Sequence, residues 1–235
     1  APPNTATAPP STATAPVATL AGTYRADFGP VTDLDGNPVA GAPSTGMYGL
    51  RSVCRDAGCV ATGERLSGEI TFATKMVFDL IDGRWVAVAL SASQCRGAVG
   101  EIWEVFTLQP HPDGTLTGQH TRSARNNCQE TRTVSFTRTG DVDLNSLPDP
   151  GTLPPRVVSP AEAFHGHYQL ARTFTSGQPQ LLGDSAIATD CLRNGDRCMS
   201  YFHAVDGVVT LIFKDDKWTR NEAGATTCPG GGLAQ

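Results

Sequence analysis

Cysteines are the residues in this chain whose spacing most clearly predicts chemistry. In each of two sets, a close Cys pair precedes a hairpin sequence that ends in Trp, and another Cys follows that Trp by ten residues. The first set has four members and the second has three: Cys54, Cys59, Cys95 and Cys128, then Cys191, Cys198 and Cys228. Seven cysteines are many for a reduced cytosolic protein, so the chain is expected in an oxidising, extracytoplasmic compartment.

The pairing of these cysteines cannot be deduced from sequence, but the duplication favours one scheme. We expect Cys54–Cys59, Cys95–Cys128 and Cys191–Cys198, with Cys228 left without a partner. Zinc is the alternative, and it fits poorly because the Cys-x4-Cys and Cys-x6-Cys spacings lack a second close pair to complete a tetrahedral site. We therefore predict no metal and no cofactor.

Four polar residues are candidates for contact with a ligand. On a strand, His165 and His167 would point to one face, which suits a metal, but no carboxylate or third His lies nearby in sequence. We expect them to be an exposed pair at the start of a strand. Arg220 and Glu222 stand where the first copy has two alanines, on its core face. Charges buried there without partners would be costly, so either this face is open or it lines a polar pocket. The open face is the preferred interpretation.

The sequence carries none of the common catalytic motifs. It contains no Gly-x-Ser-x-Gly elbow, no phosphate-binding Gly-x-x-x-x-Gly-Lys-Ser/Thr loop and no dinucleotide-binding Gly-x-Gly-x-x-Gly. A cysteine from a disulfide set in an oxidising space is also a poor nucleophile, because its thiolate does not persist. We predict no catalytic residue.

The elements that must carry these residues are strands. Between Lys75 and Leu90 apolar residues alternate with others, interrupted by Asp82-Gly83, a strong signal for a type I′ hairpin. Pairing across that turn sets Leu80 opposite Trp85. Further strands are predicted near 20–28, 47–54, 101–109, 115–121 and 131–139. Their regular spacing predicts an antiparallel β-barrel or sandwich.

The chain is organised as a tandem duplication with a shortened second copy. Residues 1–19 form an Ala/Pro/Thr-rich segment that cannot bury a core and is predicted to be a disordered tether. The first β module spans 20–147, a Pro-rich linker spans 148–160, and the incomplete second module spans 161–235. The predicted fold is therefore all-β, with tandem modules joined by a linker.

The net charge and the hydropathy of the chain exclude some classes of binding partner. A net charge of −5 and a pI near 5.5 argue against nucleic acid and against a polybasic membrane-binding patch. No apolar run approaches the length that spans a bilayer. Since the chain opens on Ala1 with no signal-peptide pattern, we expect a processed product or a fragment of something larger.

Two passages carry a family resemblance: GLRSVC followed by CVATG within 49–63, and TDCLRNGDRCMS at 189–200. They resemble the extracytoplasmic part of mycobacterial transmembrane serine/threonine protein kinases. The resemblance implies a receptor whose kinase domain lies in the cytoplasm, with residues 1–19 following the membrane helix. This sequence has no kinase motif, so no catalytic residue is carried over.

Three hypotheses of function follow. The first is a cell-surface sensor region, tethered to the plasma membrane through a helix absent from this sequence, which binds an unknown ligand or protein, or forms a homodimer, and so regulates the kinase. The alternative is a free secreted small-ligand-binding β-barrel protein without an attached kinase, and a filled core without a pocket would count against it. A secreted enzyme is the weakest, because no nucleophile–base pair is visible.

Overall fold

A computed structural model describes residues 19–95, 98–124, 128–173, 177, 179–204, 207–220, 226–227 and 233–234. Within these ranges the chain forms β-strands and three short 3-10 helices. None of the described helices is long and apolar enough to cross a membrane. The predicted all-β class is confirmed.

The first module is a closed antiparallel barrel. Strand β1 pairs with β2 on one side and with β8 on the other, so the sheet has no free edge. This closure decides between the barrel and the sandwich that the sequence left open. The barrel strands are β1 (Ala21–Phe28), β2 (Ser44–Arg55), β3 (Gly58–Ser67), β4 (Lys75–Ile81), β5 (Arg84–Cys95), β6 (Ala98–Pro110), β7 (Leu116–Ser123) and β8 (Gln129–Gly140).

Alternation of side chains explains how the barrel forms its core. On β1, Tyr24, Ala26 and Phe28 are buried, whereas Arg25 and Asp27 between them are not. A strand with this period of two presents one apolar face to the interior and one polar face to water. The strand β3 was not among the predicted strands, although it carries Cys59 directly after a tight turn.

The duplicated hairpin adopts the same geometry in both copies. In the first, Leu80 lies opposite Trp85, and the turn residues Asp82 and Gly83 have φ of 48° and 77°. Positive φ at both central positions defines the predicted type I′ turn, which matches the twist of the strands. In the second, Phe213 lies opposite Trp218 across an Asp-Asp turn that also has two positive φ values.

The second module is an open five-stranded antiparallel sheet in the order β13-β12-β11-β10-β9. The predicted incomplete second module is seen here as a partial, open sheet of five described strands. Its strands are β9 (Gly166–Thr173), β10 (Pro179–Cys191), β11 (Arg197–Ala204), β12 (Gly207–Lys214) and β13 (Lys217–Thr219). A separate two-stranded ribbon contains β14 (Thr226–Thr227) and β15 (Leu233–Ala234).

The Pro-rich segment 148–160 is bonded to both sheets. From the barrel, the Thr62 hydroxyl donates to the Pro148 carbonyl over 2.6 Å. From the second sheet, Arg193 donates to the Pro154 carbonyl over 2.5 Å and accepts from the Val157 amide. These bonds hold the segment against the groove between the sheets. The predicted tether lies outside the described residues except for Thr19, and the predicted module boundaries stay predictions.

Candidate functional site

The barrel interior is packed with side chains. Its core consists of aromatic and aliphatic residues from all eight strands, among which the largest fully buried members are Trp85, Tyr48, Phe78, Phe106, Phe136, Leu50, Leu108 and Leu116. The ring of Phe106 makes edge contacts with Phe78 and Phe136 at centroid distances of 6.0 and 6.2 Å. An interior filled in this way leaves the outer surface of the barrel as the place to look for a ligand site.

A buried carboxylate, that of Glu104, lies inside the barrel. Glu104 is fully buried and accepts hydrogen bonds from the Ala73 amide at 2.9 Å and the Ser91 hydroxyl at 2.5 Å, while His120 Nε2 lies 3.3 Å from its other oxygen. Burial alone would raise the pKa of Glu104, but these hydrogen bonds outweigh it and lower that pKa. Burial lowers the pKa of His120, so a neutral imidazole donates to a carboxylate. Arg122, 3.8 Å from Glu104, balances the charge.

The second sheet packs on the outside of the barrel at β5 and β6. Trp103 points outward from the barrel and is fully buried against Met199, Tyr201 and Ile212. We call these four residues the inter-sheet core. Because the core side chains come from both sheets, burial of Trp103 requires the second sheet.

Ion pairs surround the inter-sheet core. Arg193 lies in the turn between β10 and β11, and its Nε donates a bifurcated hydrogen bond to both carboxylate oxygens of Asp79 on β4, at 3.2 and 3.0 Å. Arg197 donates to both oxygens of Glu101 and lies over the Trp103 ring, 5.4 Å from its centroid. The Arg197–Glu101 pair is bidentate, a geometry that fixes orientation as well as distance. Both ion pairs join the second module to the barrel.

Two adjoining cavities of about 190 and 510 Å³ lie between the sheets, and together we call them the inter-sheet cleft. Both are lined by Asp79 and Arg193, and the Pro-rich segment contributes Arg156 to each. The smaller cavity also has an apolar wall from the barrel, made by Val77, Val86 and Val88, and a polar wall from β10 that includes Asp190.

The charges in this cleft are unevenly compensated. Burial raises the pKa of Asp79, and the Arg193 guanidinium partly offsets that effect. Arg156 pairs with Glu162 at 2.7 Å. Asp190 has no hydrogen bond or ion pair within the described part of the chain, and burial raises its pKa to about 7. Burial also raises the pKa of Tyr201 on the neighbouring strand well above its usual value, and the Asp190 carboxylate adds to that shift.

Two of the three predicted disulfides are present in the described part of the chain. Cys54–Cys59 and Cys191–Cys198 are bonded, each joining two paired strands beside the turn of a β-hairpin. Cys128 is also in a disulfide. The side chain of its predicted partner Cys95 lies outside the described residues.

None of the described residues among the predicted ligand-facing candidates lines the inter-sheet cleft. Cys228 and Glu222 are not among the described residues. His165 and His167 are exposed at the start of β9, and His165 Nδ1 donates to the Glu162 carbonyl at 2.6 Å. Arg220 directly follows β13, at the other end of the strand order. Among the described candidates, the two histidines and Arg220 lie near opposite edges of the second sheet, and the predictions about ligand contacts remain untested.

Sequence reasoning missed the cleft, although a signal for it was present. In the β4–β5 hairpin the outward positions include Val77, Val86 and Val88, as apolar as the inward ones. A strand that is apolar on both faces is typically buried on both faces. Among the described residues there is no group of three or more His, Cys, Asp or Glu side chains that could hold a metal.

Comparisons with known proteins give one family. The profile of the PknI serine/threonine-protein kinase sensor domain matches residues 15–152, more than half of the chain. Among solved structures, the chain is similar to the monomer form of the M. tuberculosis PknI sensor domain, with 22% identity and a TM-score of 0.47, covering 59% of this chain and 100% of that one. No curated protein matches the sequence. The second sheet begins at Gly166, beyond the residues that the profile matches.

Proposed function

Because this chain belongs to the family of PknI serine/threonine-protein kinase sensor domains, we propose that it is the extracytoplasmic sensor region of a membrane-anchored kinase. In this proposal the chain binds a ligand or a partner protein, or pairs with a second copy, and so biases the activity of the kinase across the membrane. The kinase activity itself is assigned to the parent protein. The family match over residues 15–152 is the observation that carries the proposal.

The packed barrel supports a sensor that binds on its outer surface. A free secreted protein that carries a small ligand inside its barrel needs an internal cavity, as larger barrels have. Here Trp85, Phe106 and Phe136 occupy the centre and are not exposed. The packed core therefore counts against the alternative of a free secreted protein that binds a small ligand in its barrel.

The inter-sheet cleft is the recognition site that we favour. It is concave, it combines an apolar wall with a few charged groups, and it lies where two sheets meet, which is typical of ligand sites. A ligand that enters there contacts both modules, so it can change how one sits on the other. Such a differential contact is what any ligand needs in order to shift a conformational equilibrium.

The test is a kinase assay on the membrane-embedded parent protein. We would place the parent in lipid vesicles and measure the autophosphorylation rate of the wild type and of an Arg193→Gln variant, which loses the ion pair with Asp79. Arg25→Gln is the matched control, since it also removes an ion pair to an aspartate, but on β1, outside the cleft. We expect a change of several fold for Arg193→Gln and none for the control.

Two results would overturn the proposal. One is a parent protein without a membrane helix or a kinase domain. The other is an autophosphorylation rate that stays at the wild-type value in the Arg193→Gln variant and also in a variant whose inter-sheet core is disrupted by Trp103→Ala. Folding of each variant is checked by circular dichroism of the purified sensor region.

A further inference from the structure

A carboxylate without a counter-charge faces the smaller cavity of the inter-sheet cleft. Asp190 lies on β10 directly opposite Met199 of β11. Residues opposite each other on antiparallel strands point to the same face of the sheet. Met199 contacts the barrel through the inter-sheet core, so Asp190 also points toward the barrel, into a cavity of about 190 Å³.

The other charged groups that line this cavity already have partners. Arg193 is bound to Asp79 and to the Pro154 carbonyl, and Arg156 is bound to Glu162. Each arginine therefore balances one carboxylate. Asp190 is the remaining lining acid, and it has no cation or hydrogen-bond donor among the described residues.

Asp190 is partly buried, and a carboxylate held partly out of water without a partner responds by binding a proton or by pairing with a cation. We propose that the smaller cavity of the inter-sheet cleft binds a small organic cation, an alkylammonium or guanidinium compound, whose charge pairs with Asp190. Its apolar part packs on the wall formed by Val77, Val86 and Val88 of the barrel. This inference rests on the proposed sensor function, for which it names the ligand class.

The shape and composition of the cavity favour this class over others. A water molecule occupies about 30 Å³ in the liquid, so the cavity has room for a ligand of roughly six heavy atoms. An anion finds no unpaired guanidinium in the described lining. A metal ion needs several ligating side chains, and the described residues offer no group of three.

Protons compete with such a ligand in a defined direction. The pKa of Asp190 in the empty site is about 7, because burial disfavours the charged form. Below that pH the carboxyl is protonated and a cation must displace the proton. We therefore expect the affinity for a cation to be about tenfold lower at pH 6 than at pH 8, and binding near neutral pH to release a proton.

The experiment is an NMR titration of the purified chain with butylammonium chloride at pH 8 and pH 6. The side-chain carboxyl carbon of Asp190 reports its protonation directly. Butanol serves as the neutral probe of nearly the same shape. We compare the wild type with Asp190→Asn, which removes the charge at constant size, and with Asp184→Asn, a control on the same strand whose aspartate is exposed.

We expect saturable binding of butylammonium at pH 8, a lower Asp190 pKa in the bound state, a loss of affinity of at least tenfold in Asp190→Asn, and no loss in Asp184→Asn. Equal binding of butanol, or unchanged affinity in Asp190→Asn, would overturn the proposal. If Asp190→Asn does not fold, an Asp190 pKa in the wild type that does not change with butylammonium has the same meaning. These results are independent of the kinase assay, so either proposal can fail alone.

Discussion

The barrel and the second sheet contain equivalent hairpins, one in a closed sheet and the other in an open sheet. Trp85 and Trp218 occupy equivalent positions, each one residue pair from a type I′ turn. Trp85 is fully buried because the barrel closes around it, whereas Trp218 is half-buried in a sheet whose two edges, β9 and β13, do not pair with each other. Local sequence thus determines the hairpin, but closure of the sheet determines how much of its apolar face is removed from water.

Substitution of the two tryptophans measures this difference most directly. Trp85→Ala removes a fully buried indole and leaves a cavity, so we expect it to lower the free energy of unfolding by about 3–5 kcal/mol. Trp218→Ala removes a side chain that is partly in water already, and we expect a loss of about 1–2 kcal/mol. Urea unfolding followed by far-UV circular dichroism gives both values.

Equal losses in the two variants would contradict the comparison, because they would mean that the second sheet buries its tryptophan as completely as the barrel does. Amide hydrogen exchange provides the control, since it assigns each loss to the sheet in which protection falls. The loss from Trp85→Ala should appear in β4 and β5, and that from Trp218→Ala in β12 and β13.

A second prediction uses the two faces of one barrel strand. Glu104 points into the barrel, and Glu101 points outward to Arg197. Glu104→Gln breaks a buried charged network, and we expect it to cost about 3 kcal/mol. Glu101→Gln alters a pair that is 38% exposed on its acidic side, so we expect about 1 kcal/mol or less. Thermal or urea unfolding at pH 7 measures both.

The pH dependence of the same variants is a further check. The folded-state pKa of Glu104 is lowered, so its stabilisation is present above the usual carboxyl pKa of about 4 and is lost as the pH falls through the lower, folded value. The wild type should therefore lose more stability than Glu104→Gln between about pH 5 and pH 2. Parallel loss in both proteins would show that Glu104 is not charged in the barrel.

Local features of this fold were predictable from sequence, and the contacts between sheets were not. The Asp82-Gly83 turn, the pairing of Leu80 with Trp85 and the disulfides at Cys54 and Cys191 each depend on residues close together in the chain. The turn residues and the alternation are enough to infer the hairpin, whereas for the cysteines the duplication only favoured one pairing among several. The cleft depends on which outer face of the barrel the second sheet covers, and no spacing in the sequence records that choice.

Charged residues were the hardest to place. Glu104 occupies an inward position of β6, where the alternation predicts an apolar residue, and only the structure shows the partners Ser91, His120 and Arg122 that make its burial possible. Asp190 adjoins Cys191 and was not among the candidates for ligand contact. A carboxylate in a sequence is normally exposed, so its burial is found only when the opposing surface is known.

Each region also contains one short-loop disulfide, and removal of either should lower the free energy of unfolding by less than the substitutions of Trp85 or Glu104. The chain-entropy estimate for their short loops, of sequence separation 5 and 7, is about 2 kcal/mol each when both cysteines are changed to serine. Cys191 and Cys198 are buried, whereas Cys54 is exposed, so the pair in the second sheet should cost more. Timed alkylation with mass spectrometry should also find Cys54–Cys59 reduced first, since exchange needs access to the sulfur. If Cys191–Cys198 were reduced first, the disulfide of the second sheet would be the more accessible of the two, contrary to this prediction.

The smallest expected effect is the coupling energy of the Glu101–Arg197 ion pair, which joins the two regions. A double-mutant cycle with Glu101→Gln and Arg197→Gln should give a coupling energy of about 0.5–1 kcal/mol, because the pair is partly buried and Arg197 also lies on Trp103. The same cycle on the exposed pair of Arg25 and Asp27, within one strand, should give a value near zero that vanishes in high salt. Arg197→Lys separates the contribution of charge from that of the bidentate hydrogen bonds, since lysine keeps the charge but cannot form the bidentate pair. A cross-sheet coupling no larger than that of the exposed pair would mean that the second sheet is held on the barrel by its apolar core, with Trp103 as the residue that couples the two regions.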